Sequence, residues 1–279
     1  MSGYVEVEQL SQKVNISAIK GSHLMRFGLT FKRGGTHTSR TMMLEDFGAL
    51  LSYVDRPDAL QAEYRQAICE QNCLGKRSGK TRILTYRHLV ELYSLDPSCT
   101  LFRALLFFWS RDTQGRPLLA LLCAYSRDSI LRSTRPLVFK VPEGKTLSRD
   151  ALEEYIDNLE PSRFSKATLT STARNINATW TKSGHLTGRS RKVRSRATAT
   201  PGSVSFALLL GYLTGVRGEA LFQSEYATLL DCPFELAVEM AREASRRGWI
   251  VFKRLGTVVE VLFPNLITTQ EMEWIREQG

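Results

Sequence analysis

The clearly patterned segments of residues 1–160 have the spacing of helices, and this limits the folds open to the chain. Each repeats apolar residues at i, i+3 and i+4 over roughly 10–18 residues. Leu118–Leu131 is apolar nearly all round, which predicts one helix at the centre of the first core. Residues 1–25 show no firm element, and Phe27–Phe31 has the pattern of a short strand. A succession of helices predicts a helical bundle rather than an α/β sheet.

The chain after residue 202 has a different order of elements. Three helices and then a hairpin are predicted, over Ser203–Leu213, Phe222–Leu230, Phe234–Arg247, and the strands Trp249–Arg254 and Thr257–Phe263. That order is typical of a winged helix-turn-helix. The predicted fold is therefore mainly α, a helical bundle with helix-turn-helix-like domains and a small winged-helix-like β-hairpin near the C-terminus. The predicted domains are 1–160, a basic helix and arm at 161–202, and 203–279.

Positive charge is concentrated in one part of the chain. Between Pro161 and Arg217 there are ten Lys and Arg residues and no Asp or Glu, so this strip alone carries the +10 net charge of the whole protein. A localised cationic strip is typical of a protein that binds a polyanion, and nucleic acid is the commonest one. The alternative is a solvated loop with a chance run of arginines.

Residues 166–183 predict a helix with two different faces. Its apolar stripe consists of Leu169, Ala173, Ile176 and Trp180, so Trp180 is predicted to be buried. The opposite stripe carries only cations and hydrogen-bonding groups, among them Lys166 and Arg174, which suits contact with a phosphate backbone. Gly184 ends the helix, and Leu186–Arg196 has the composition of a flexible basic arm.

A second basic segment, Gly75–Thr81, is similar to a nucleotide-binding phosphate loop. It has three residues between its first glycine and Gly79-Lys80-Thr81, where the pattern needs four, and a helix rather than a strand precedes it. A basic turn before a helix N-terminus is the better interpretation, because free N–H groups there favour a phosphate diester. The predicted DNA contacts are Lys76, Arg77, Lys80, Arg82, Lys166, Arg174, Lys182, His185, Arg189, Arg191, Lys192, Arg194 and Arg196.

The sequence shows no pattern of catalysis or cofactor binding. Five cysteines lie inside apolar helical patterns, and four histidines are scattered without metal-ligand spacing. We therefore expect a non-enzymatic protein with no metal and no cofactor. The cysteine usage predicts a reduced, cytoplasmic setting. No apolar run approaches the ~20 residues needed to span a bilayer, so no membrane contact is expected.

The predicted third helix of the winged module complicates a DNA-binding interpretation. Glu235, Glu239 and Glu243 lie at i, i+4 and i+8 and form one acidic face, which would repel phosphates in a major groove. Only its end and the wing are basic. The module either presents these parts to DNA or binds a protein instead, and the sequence leaves both open.

Three stretches of the chain have a familiar pattern of helices and basic turns. They are Gly34–Thr41, Asn72–Arg82 and Ala173–Leu186. In these the chain resembles BrxA, the small helical protein of BREX phage-defence systems. The resemblance implies a cytoplasmic, helix-turn-helix-like protein that binds double-stranded DNA, without catalysis, beside other components of a defence complex. The chain departs from the family in its length, its arm at 187–200 and its acidic third helix. An RNA-binding protein and an adaptor for an acidic protein remain alternatives.

Overall fold

The structure is a computed structural model that describes residues 23–277. Helices dominate it, which confirms the predicted fold class. The α-helices are α1 (Leu44–Val54), α2 (Gln61–Cys69), α3 (Gly79–Tyr93), α4 (Thr100–Arg111), α5 (Arg116–Arg127), α6 (Ser129–Ser133), α7 (Arg135–Lys140), α8 (Arg149–Leu159), α9 (Lys166–Lys182), α10 (Pro201–Leu213), α11 (Glu225–Thr228), α12 (Phe234–Arg246) and α13 (Thr269–Arg276). The strands are β1 (Thr146–Leu147), β2 (Leu186–Thr187), β3 (Lys192–Arg194), β4 (Val251–Leu255) and β5 (Val258–Leu262). No element was predicted for residues 1–25, and residues 1–22 of that stretch lie outside the described residues.

The first core forms around α4 and α5, as the apolar pattern predicts. Every side chain of α5 from Leu118 to Ser126 is buried. The predicted single helix over Leu118–Leu131 is corrected, because Asp128 divides it. The Asp128 carboxylate accepts hydrogen bonds from the backbone N–H groups of Ile130 and Leu131 and so caps the new helix α6.

The predicted strand over Phe27–Phe31 does not form. The Phe27 carbonyl accepts a hydrogen bond from Leu101 N–H, and Thr30 N–H donates to the Ser126 carbonyl. Because both partners belong to helices, the segment, which begins as a turn at 26–28, lies across α4 and α5 instead of joining a sheet. Its two inward residues, Phe27 and Leu29, are buried in the same core.

Helix α10 connects the first core to the C-terminal module. Nearly all of its residues are buried, because it packs against α4 and α5 on one side and α12 on the other. The Asp112 carboxylate at the end of α4 accepts hydrogen bonds from Gly115 N–H and Gly202 N–H. A Cβ atom at Gly202 would lie 2.5 Å from an Asp112 oxygen, so this contact requires glycine. One contiguous apolar cluster thus runs through the described chain, and the division at 160 and 202 stays a prediction.

The C-terminal module has the predicted order of helices followed by a hairpin. Strands β4 and β5 pair antiparallel. The predicted helix over Phe222–Leu230 is shorter than expected: a 3-10 helix at Gly218–Gln223 precedes the single turn of α11. Helix α13 then returns to the first core, where its buried Glu271 accepts hydrogen bonds from Arg103 and Thr100 of α4.

The predicted flexible arm is an ordered part of a small sheet, so this expectation is corrected. Strand β3 lies between β1 and β2 and pairs antiparallel with both. Gly188 begins the β2–β3 loop with φ 91°, and a Cβ atom there would lie 2.1 Å from the Arg191 carbonyl oxygen. Only glycine fits this conformation. The segment has few apolar residues, and hydrogen bonding between backbone groups of the strands orders it. Amino-acid composition does not reveal such pairing.

Candidate nucleic-acid interface

The small sheet carries four cations that we call the basic ribbon: Lys145, Arg189, Arg191 and Lys192. Arg189 and Arg191 lie in the β2–β3 loop, Lys192 begins β3, and Lys145 lies in the turn before β1. Lys145, Arg189 and Arg191 are exposed, and Lys192 is half-buried. None of the four pairs with an acidic side chain anywhere in residues 23–277. The ribbon therefore carries four positive charges that no acid of the described residues pairs with.

Neutral oxygen atoms accept hydrogen bonds from two of the four ribbon side chains, Arg191 and Lys192. Arg191 Nε donates to Thr146 Oγ1 at 2.7 Å, and Lys192 Nζ donates to the Gly188 carbonyl at 2.7 Å. Burial lowers the pKa of Lys192 from its ordinary value. The Arg191 bond involves one of the five guanidinium N–H groups, so the planar fork remains free to bind a phosphate.

Two of the predicted contacts, Arg194 and His185, are buried, and their assignment as phosphate contacts is corrected. Arg194 donates from Nη1 and Nη2 to the two carboxylate oxygens of Asp231, at 2.8 and 2.9 Å. Its guanidinium also lies over the Phe139 ring, 4.9 Å from the centroid. Arg194 thus fixes the base of the ribbon to the loop after α11.

We expect Arg194→Gln to lower the free energy of unfolding by about 2–3 kcal/mol, because it leaves Asp231 mostly buried without its charge partner. Urea unfolding followed by circular dichroism measures this. The control is Arg191→Gln, three residues earlier in the exposed loop, which should change stability by less than about 0.5 kcal/mol. Equal stability of the two variants would contradict the structural role of Arg194.

His185 joins the end of α9 to the same loop. Its Nε2 lies 2.9 Å from the Leu229 carbonyl oxygen, which only accepts, so Nε2 carries the proton. Its Nδ1 lies 2.9 Å from Ser183 Oγ, and its ring meets Trp180 edge-on at 5.0 Å. Burial lowers the pKa of His185 from 6.5 to about 4. The ring is therefore neutral at pH 7 and holds the fold together.

This lowered pKa predicts a pH dependence of stability. Between pH 6.5 and about 4 the unfolded chain binds a proton at His185 that the native protein does not bind. The stability that His185 contributes is therefore complete above pH 6.5 and is lost as the pH falls through this window. We expect the melting temperature of His185→Gln, in which the group cannot titrate, to fall less than that of wild type from pH 7 to 4.5. If the melting temperatures of the two proteins fall equally with pH, His185 does not have the lowered pKa described above.

The cationic strip is half compensated by acids from elsewhere in the chain. Within residues 23–277, five of its ten cations form ion pairs: Arg163 with Glu160, Lys166 with Glu153, Lys182 with Glu45, Arg194 with Asp231, and Arg196 with Glu143. The free positive charge is thus smaller than the sequence count indicates. Most of what remains belongs to the basic ribbon.

The start of α1 brings the second predicted basic segment close to the end of α9. Lys182 pairs with Glu45, while the next residue, Asp46, accepts from Lys76 Nζ at 2.8 Å. Two of the segment's other predicted contacts, Arg77 and Lys80, are exposed, whereas Arg82 is half-buried and donates to the Glu70 carbonyl. Arg174, on α9, is exposed as well. No acid within residues 23–277 pairs with any of these four. They form a second, more dispersed set of cations.

The winged module has no comparable surplus of positive charge. The acidic face of α12 is paired with arginines of its own end and of the wing. The contacts are Glu239 with Arg242 and Arg246, Glu243 with Arg246 and Arg247, and Glu235 with Arg254. On the hairpin, Lys253 pairs with Glu260 at 3.3 Å. This charge balance disfavours phosphate contact at the helix end and the wing.

A buried chain of polar groups links the Gly34–Thr41 stretch to α9, and sequence reasoning missed it. His37 Nδ1 lies 2.7 Å from Asp128 Oδ2, and His37 Nε2 lies 2.9 Å from Thr179 Oγ1. The order of groups is that of a hydrolase triad. However, Thr179 is fully buried and its hydroxyl accepts from Met42 N–H at 2.9 Å, so in this conformation it cannot meet a substrate. His37 and Thr179 belong to the stretches Gly34–Thr41 and Ala173–Leu186, which were already singled out in the sequence. That pairing of stretches was the only hint of the contact in the sequence.

No model of a known protein family matches this chain, and no curated protein matches it either. Within residues 23–277, no helix is long and apolar enough to cross a bilayer. The same residues hold no group of three or more His, Cys, Asp or Glu side chains placed around a common point where a metal could bind. Function is therefore inferred from the positions and charges of the chain's own side chains.

Proposed function

We propose that this protein binds double-stranded DNA without catalysis, by docking its basic ribbon on the phosphate backbone. The observation that carries the proposal is the set of four ribbon cations with no acidic partner in the described chain. Like charges on one small sheet repel each other, which raises the free energy of the unbound protein. A bound polyanion relieves this repulsion. Counterion release from the duplex adds to the binding free energy.

The ribbon residues have different roles in this proposal. Arg189 and Arg191 at the loop between β2 and β3 would bind phosphate oxygens through their planar guanidinium groups, or enter a narrow minor groove. Lys145, just before β1, and Lys192, at the start of β3, would bind flanking phosphates as point charges. These contacts carry no base information, so we propose binding with little sequence preference.

The second set of cations would extend the contact along the duplex. Arg174, Arg77 and Lys80 are exposed without acidic partners in the described residues. Lys76 and Lys182 would have to break their ion pairs with Asp46 and Glu45 to bind phosphates. Their contribution to the binding free energy is therefore smaller. Arg77 and Lys80 lie beside the N-terminus of α3, where the helix dipole favours an anion.

The biological setting is proposed from the resemblance to BrxA. We propose an accessory, cytoplasmic component of a bacterial phage-defence system of the BREX type, acting beside other components of that system. The stretches that support it are Gly34–Thr41, Asn72–Arg82 and Ala173–Leu186. The first and last of these are in contact, since Asn175 Nδ2 donates to the His37 carbonyl at 3.1 Å.

A competition experiment tests the proposal against RNA and an acidic protein partner. A labelled duplex DNA is bound at one fixed salt concentration and displaced by unlabelled duplex DNA, duplex RNA, single-stranded RNA or poly-glutamate. We expect duplex DNA of the same or of shuffled sequence to compete equally well and better than the other three. Displacement by RNA at lower concentration than by DNA would assign the ribbon to RNA. Displacement by poly-glutamate would assign it to an acidic protein.

A further inference from the structure

The C-terminal hairpin has an outward face that is apolar and charge-balanced. Side chains alternate along both strands, and those on the outward face are Val251, Lys253 and Leu255 from β4 and Val258, Glu260 and Leu262 from β5. Leu255 is 84% exposed, Val258 70% and Leu262 41%. Large apolar side chains this exposed, side by side on a sheet, are typical of an interaction surface.

The six residues form three cross-strand pairs with a symmetric composition. Val251 lies opposite Leu262, Lys253 opposite Glu260, and Leu255 opposite Val258. Each end of the face therefore carries an apolar pair, and the middle carries one cation and one anion. Polyanions are excluded as occupants, because Glu260 repels a phosphate and the apolar pairs offer it no hydrogen bond.

We propose that this face binds the same face of a second copy of the protein. A two-fold axis parallel to the strands, between the two hairpins, places β4 of one copy over β5 of the other. Residues at the same height along the hairpin then meet across the interface. Lys253 of each copy lies against Glu260 of the other, and every apolar pair meets an apolar pair. The two-fold rotation places each cation against an anion and each apolar pair against an apolar pair. The face is therefore complementary to itself, and a second copy can bind it.

The expected dimer is weak, since the two strands are short. Six side chains per copy bury less than the roughly 800 Å² per partner of a stable interface. We therefore expect association with a Kd of about 0.1 mM. Two linked copies would present two basic ribbons, so local crowding on a duplex would strengthen the dimer.

Charge reversal at the central pair tests the geometry in the absence of nucleic acid. Sedimentation velocity of the full chain from about 10 µM to 1 mM should show wild type passing from monomer to dimer. Lys253→Glu places two glutamates against each other in both symmetric contacts, and Glu260→Lys places two lysines there. Each variant alone should dimerise at least about tenfold more weakly than wild type. An equimolar mixture of the two should dimerise again, because both contacts become attractive.

The control is Arg56→Glu, which also reverses a charge in an exposed surface ion pair, between Arg56 and Glu63, outside the six residues of the hairpin face. It should dimerise like wild type. Restored association in the mixture supports the proposal. Wild type that stays monomeric to about 1 mM, or single variants that dimerise unchanged, overturns it and leaves the face for a different protein. Duplex affinity of the isolated monomer is measured separately, so failure here does not touch the proposed DNA binding.

Discussion

Replacing Trp180 with alanine is expected to lower the free energy of unfolding by about 3–5 kcal/mol. Trp180 is fully buried, which confirms the sequence prediction. Its Nε1–H donates to Thr134 Oγ1 at 3.1 Å, and its ring meets Phe139 and His185 edge-on. The substitution removes a large apolar volume, leaves a cavity and deprives Thr134 of a partner. It also loosens His185, which holds the base of the ribbon.

Chemical unfolding of three variants measures this effect. Trp180→Phe keeps an aromatic ring and should cost about 1–2 kcal/mol for the lost hydrogen bond and volume. Arg174→Ala changes an exposed residue of the same helix and should remain within about 0.5 kcal/mol of wild type. If Trp180→Ala unfolds at the wild-type denaturant concentration, the packing of α9 described above is wrong.

Replacing all four ribbon cations with glutamine should lower duplex DNA affinity by at least about 100-fold near 100 mM salt. Each lost phosphate contact forfeits the release of about one counterion, and the four act together. The thermal stability should change by less than about 1 kcal/mol, because none of the four has an acidic partner in the described residues to leave unpaired. Arg194 is kept in this variant, since its loss would damage the fold.

A second variant that loses the same number of charges elsewhere tests whether the position of the cations or the net charge determines duplex affinity. Glutamine at Arg242, Arg246, Arg247 and Arg276 removes the same four charges, three of them from the end of α12. These cations face acids of their own helix or lie outside the small sheet. We expect this variant to lose less than about tenfold in affinity. Equal losses for the two variants would mean that overall charge, not the ribbon, attracts the duplex.

Much of the fold is predictable from sequence, because long helices and the hairpin leave periodic patterns. The 166–183 helix and the β4–β5 hairpin both appear close to their predicted bounds. The strands β1, β2 and β3 were missed, since two or three residues are too few to show a period.

The candidate site was predictable only in part. Counting charges along the chain located the cationic strip, and the ribbon lies mostly within it. The pairing of Lys166 with Glu153 and of Lys182 with Glu45 joins residues far apart in sequence, so no local pattern shows it. Lys145 contributes to the ribbon from another segment, and only the pairing of β1 with β3 shows that it belongs to the same small sheet. Its carbonyl accepts a hydrogen bond from Arg194 N–H, at the opposite end of β3 from Lys192.

The salt dependence of duplex binding tests the central claim most directly. Affinity is measured across about 50–300 mM salt for wild type and for the variant with four ribbon glutamines. Wild type should show a log–log slope of about −4 to −5, as expected for roughly five neutralised phosphates. The ribbon variant should have a slope about 3–4 units shallower, since each lost contact removes about one unit. A flat wild-type response, or the same slope in both proteins, would contradict phosphate docking by the basic ribbon.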